Sequence, residues 1–76
     1  MALMATVPCE GIDRVVLEEA REGVYILAFR SAEDRLPYRD WLQDSWENAK
    51  LHALEDFGVA EDAWQEIPDT GIMSSA

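Results

Sequence analysis

The sequence predicts a small α+β fold: an antiparallel sheet of three to four strands packed on one α-helix, in the order β-β-(β)-α-β. Three observations predict it. Residues 23–31 hold a run of β-branched and aromatic side chains, Val24-Tyr25-Ile26-Leu27-Ala28-Phe29. A one-sided run at residues 13–20 precedes it across a tight turn, which makes a hairpin. Residues 44–58 repeat apolar positions at helical spacing between a capping group and a glycine.

At 76 residues the chain can build one domain, expected over residues 12–68, with residues 1–11 as a flexible leader and 69–76 as a flexible tail. A domain this small has a net stability of about 4 to 11 kcal/mol. In the first strand, Val15 and Leu17 form the inner pair. Glu22-Gly23 supplies the turn, because glycine accepts a positive φ. Both faces of the second strand are apolar, so it should be central. Its larger set, Tyr25, Leu27 and Phe29, is expected to face the helix, with Val24, Ile26, Ala28 and Arg30 turned away. A polar connector ending at Pro37 leads to a weaker third strand, where Arg39 and Trp41 alternate with Tyr38, Asp40 and Leu42.

The helix is signalled at both ends. Asp44 with Glu47, or Ser45 with Asn48, can cap its first turn, and Gly58 can close it in a left-handed conformation. Trp46, Ala49, Ala53, Leu54 and Phe57 fall within an arc of about 140°, the expected core face. Val59 can fold back onto the last turn. Ala60 to Ala63 suit a single turn, and Trp64 to Ile67 a short last strand that Pro68 ends.

The spacing Trp41-x-x-Asp44-Ser45-x-Glu47-x-Ala49, then Ala53-x-x-x-Phe57-Gly58-Val59, then Trp64-x-x-Ile67-Pro68 resembles that of a group of short bacterial proteins without an assigned activity. The resemblance covers roughly residues 23–68. It implies a compact β–β–(β)–α–β unit and a bacterial cytoplasmic source. It assigns no activity and no functional residue.

Sixteen acids against six bases give a net charge of −10. A phosphate-binding surface needs a basic patch, so direct nucleic-acid binding is not expected, nor is an anionic membrane surface. No apolar run approaches the roughly 20 residues of a membrane span, and the N-terminus lacks the basic opening of a secretory signal. The lone Cys9, read as an unpaired thiol, fits a reducing cytoplasm. The charge is uneven: residues 40–76 carry nine acids and only Lys50.

No catalytic set is expected. His52 is the only histidine and lies about 130° from the centre of the apolar arc, so it should be exposed. With Asp56 it would make an incomplete pair of metal ligands. Ser31, Ser45, Ser74 and Ser75 have only that histidine to share, and the adjacent acid pairs do not converge. No enzyme activity and no cofactor are therefore expected. The expected function is a non-catalytic protein–protein interaction module with an unidentified protein partner, or a homodimer formed through a free sheet edge. Two alternatives are an acidic inhibitor or mimic acting on a nucleic-acid-binding protein, and a weak metal or small-molecule binder. The candidate interaction surface is Trp41, Asp44, Glu47, Glu55, Asp56 and Trp64, acids of the C-terminal half with a tryptophan at either margin.

Overall fold

The structure is a computed structural model, and it describes residues 1–8 and 10–73. Among the described residues five strands form one antiparallel sheet: β1 (Ala2–Thr6), β2 (Arg14–Ala20), β3 (Gly23–Phe29), β4 (Arg39–Gln43) and β5 (Gln65–Ile67). One helix, α1 (Trp46–Phe57), packs on one face. The strand order is β4-β3-β2-β1-β5. The α+β class is thus as expected, with one strand more than the sequence suggested.

The extra strand is β1. Residues 2–6 are not a flexible leader: Leu3 pairs with both Leu17 of β2 and Glu66 of β5. Ala2 and Ala5 are buried. An alanine-rich segment has weak strand propensity of its own, and its two neighbours hold it in place. Cys9 lies outside the described residues.

The hairpin closes with Ala20 opposite Gly23, so Arg21 and Glu22 form the turn and Gly23 opens β3. The Tyr25 hydroxyl donates to Glu22 Oε2 at 2.7 Å. That bond holds the Glu22 carboxyl below its ordinary range and the Tyr25 phenol above its own. The contribution of the bond is therefore present above the carboxylate range. It is lost as pH falls through the lowered Glu22 value, and again as pH rises through the raised Tyr25 value. Tyr25→Phe should move the Glu22 carboxyl upward, toward its ordinary range, in an NMR pH titration. An unchanged titration would contradict the assignment.

The two faces of β3 are reversed relative to expectation. Val24, Ile26 and Ala28 face the helix, together with Val15 and Leu17 of β2. Leu27 and Phe29 face away, packed with Ala2 and Val16 and with Tyr25 beside them. Volume explains the reversal. The helix side already receives Trp41, Trp46, Phe57 and Trp64, so the sheet offers smaller side chains there. The larger set covers the helix-free face, where the Arg14 guanidinium lies 4.1 Å from the centre of the Phe29 ring.

That face also explains the C-terminal segment. Residues 69–73 are not a loose tail. Ile72 and Met73 pack beside Val16, Leu27 and Phe29. The anchor is Glu18, a carboxylate only 4% exposed. Its Oε1 accepts from Thr70 N and Thr70 Oγ1, both at 2.7 Å, and its Oε2 accepts from Gly71 N at 3.1 Å. Met1 N lies 2.7 Å from Asp69 Oδ1. The remainder of the predicted tail, residues 74–76, lies outside the described residues. Glu18→Ala leaves three donors without their acceptor and should cost about 2 kcal/mol. Amide exchange at Thr70 and Gly71 should quicken far more than in β3. Equal effects at both places would argue against a local clasp.

Helix α1 starts and stops as its residues dictate. Ser45 caps it, with Oγ accepting from Asn48 N at 3.1 Å, so the Ser45 alternative is the one adopted. Gly58 ends it at φ 73°, and Val59 N donates back to Ala53 O. Val59 is buried, and residues 61–63 form a single 3₁₀ turn before β5.

Candidate functional site

Ala49, Ala53 and Phe57 face the core, and Trp46 packs at its edge. Leu54, expected in the core arc, is 50% exposed. His52, expected to be exposed, has a side chain only 15% exposed. Both corrections have one cause. The helix turns its His52 flank toward the sheet and its Leu54 flank toward solvent relative to the predicted arc. It packs over β2, β3 and β4, and the side chains of the β4 edge draw that flank down. The segment from Val59 to Trp64, and not the helix, covers the rest of the sheet.

On the β4 flank, His52 sits in an aromatic bracket. Trp41 meets it edge-on at 5.3 Å, and Phe57 lies parallel to it at 6.4 Å. The Gln43 side-chain amide lies 2.9 Å from Nδ1. With that amide donating, Nδ1 accepts and the ring proton sits on Nε2. Asp56 Oδ2 is 2.7 Å from Nε2. That contact lacks the alignment of a directed hydrogen bond, and Nε2 has no hydrogen-bond partner among the described residues. Gln43, Asn48, Leu51, His52, Glu55 and Asp56 line a shallow cavity of about 280 Å³. Among the described residues no group of three or more His, Cys, Asp or Glu side chains converges as a metal site would require. The Ser45 hydroxyl is engaged as the helix cap.

The opposite flank is open. A larger cavity of about 460 Å³ runs between α1 and the turn at Glu61–Ala63. Trp46, Leu51, Leu54 and Val59 give it apolar walls; Glu47, Lys50 and Glu61 rim it. Lys50 Nζ reaches across the rim to Glu61 Oε1 at 3.7 Å. Leu51, like Leu54, is 50% exposed, and it borders both cavities.

The six expected surface residues do not form one patch. Glu55 and Asp56 lie at the His52 cavity, whereas Glu47 lies at the larger one. Asp44 is exposed in the turn before α1 and borders neither. Trp41 is half-buried on edge strand β4, with the Arg39 guanidinium 5.2 Å from its ring centre. Trp64 is half-buried beside edge strand β5, with its indole Nε1 enclosed and unpartnered among the described residues. Because β4 and β5 are the opposite edges of the sheet, the two tryptophans cannot flank one site. The residues that sequence reasoning missed are Leu51, Leu54, Trp46 and Glu61. Leu51 did carry a signal: it is a large apolar residue outside the predicted core arc.

Comparison of the chain with family models, with curated proteins and with solved structures finds no match. No helix among the described residues is long and apolar enough to cross a membrane.

Proposed function

We propose that the protein is a non-catalytic protein–protein interaction module whose working surface is the solvent face of α1. One observation carries this reading: Leu51 and Leu54 stand half-exposed side by side above an apolar cavity, in the most acidic part of the chain. Full burial of a leucine is worth about 1.5 to 3 kcal/mol, so two half-exposed ones forgo about 2 kcal/mol that a partner could recover. A contiguous apolar patch with a polar rim is the usual form of a docking surface. The same reading has the protein act in the bacterial cytoplasm on a protein partner, with no direct contact to nucleic acid or membrane.

Site-specific photo-cross-linking in a lysate of the source cells tests it. A photoreactive residue in place of Leu54 should give a discrete adduct with one protein. The same residue in place of Leu36, which is more exposed but lies in the β3–β4 connection, should give none. Adducts from Leu36 alone, or equal smears from both, would refute the reading.

A further inference from the structure

The occupant of the α1 cavity can be narrowed by chemistry; the inference rests on the proposed role of that helix face. We infer that the cavity between α1 and the Glu61–Ala63 turn receives a basic amphipathic helix of a partner protein. Its apolar side seats on Trp46, Leu51 and Leu54, and its lysines or arginines meet Glu47 and Glu61.

Charge complementarity carries the argument. The cavity floor is apolar, so an occupant must bring apolar side chains. Its rim holds two carboxylates, and the one cation beside them, Lys50, already contacts Glu61. Farther round the helix the exposed charged groups are Glu55 and Asp56. A second copy of this chain, itself at −10, would set acid against acid along the contact. An acidic or uncharged segment would offer no partner to Glu47 as it loses water. A basic segment avoids both costs. A helix suits the length, because the 12 residues of α1 present about 18 Å of surface. Amphipathic helices read such grooves through anchors one turn apart.

The probe is a synthetic peptide of about 14 residues, leucine and lysine only, with its leucines on one helical face, spanning about 21 Å. A matched peptide with glutamate in place of lysine is the control. Calorimetric titration into the full chain should show saturable one-to-one binding of the lysine peptide and none of the glutamate peptide. Leu51→Ser/Leu54→Ser, at exposed positions, should weaken binding by about tenfold or more. Glu47→Lys/Glu61→Lys should weaken it similarly and flatten its salt dependence. Circular dichroism confirms that each variant folds.

Undiminished binding to the leucine variant would reduce the effect to bulk charge and overturn the inference. So would binding of both peptides alike, or of neither. Failure here is separable from failure of the function. An adduct from position 54 whose contacting segment is acidic or uncharged would keep the interaction role and discard the basic helix.

Discussion

Gly23→Ala should lower the melting temperature of the protein by about 12 °C or more. Gly23 sits at φ +150°, outside the range that side-chain-bearing residues favour. The space around it is the stronger constraint. A Cβ added there would stand 2.3 Å from the backbone oxygen of Gln43 and 3.3 Å from Leu42 Cδ1. The backbone oxygen cannot rotate away as a side chain could. It belongs to β4, whose last residue, Gln43, pairs with Val24. Relief therefore requires β4 to part from β3 at that end. Strained backbone costs about 1 to 3 kcal/mol, and the lost pairing adds to it, so about 3 kcal/mol is expected. Thermal unfolding by circular dichroism measures it. A shift under about 2 °C would show that the strands separate freely at this point.

Phe57→Ala should be the most damaging single truncation on the helix. Phe57 joins the last turn of α1 to the sheet core and is 8% exposed. Its ring centre lies 5.6 Å from that of Trp41 at an interplanar angle of 63°, and it runs parallel to His52. Truncation removes both ring contacts and leaves a void beneath the helix end. Phenylalanine-to-alanine changes in cores cost about 3 to 5 kcal/mol. Against a total of about 4 to 11 kcal/mol, that consumes a large share of the stability. Phe57→Leu, which keeps most of the volume, should cost less than about 1.5 kcal/mol. Urea unfolding of the two variants separates the cases. Equal midpoints would mean that the aromatic bracket around Trp41 and His52 does not depend on Phe57.

Local signals in the sequence account for much of the fold. The β2–β3 hairpin, the Ser45 and Gly58 caps and the return of Val59 each depend on residues within a few positions of one another. What could not be read depends on distant partners. β1 is a strand because β2 and β5 flank it, and β5 lies some sixty residues away. Glu18 looks like a surface acid in its own strand; Thr70 and Gly71 make it a buried anchor. The roll of α1 depends on which edge of the sheet reaches it, and helical periodicity holds no record of that. The candidate site follows the same division. The acidic character of the C-terminal half is plain in the composition. The placement of Trp41 and Trp64 on opposite edges, and of Leu51 beside Leu54 over a cavity, comes from the topology.

The most direct test of the docking surface is a residue-resolved amide chemical-shift map of the labelled full chain, titrated with the lysine and leucine peptide. The largest shifts should cluster at Trp46, Glu47, Leu51, Leu54 and Glu61. Those of Val16, Leu27 and Phe29 on the helix-free face of the sheet should stay fixed. Largest shifts on that face, or along Thr70 to Met73, would place the working surface on the wrong side of the sheet and contradict the assignment of α1.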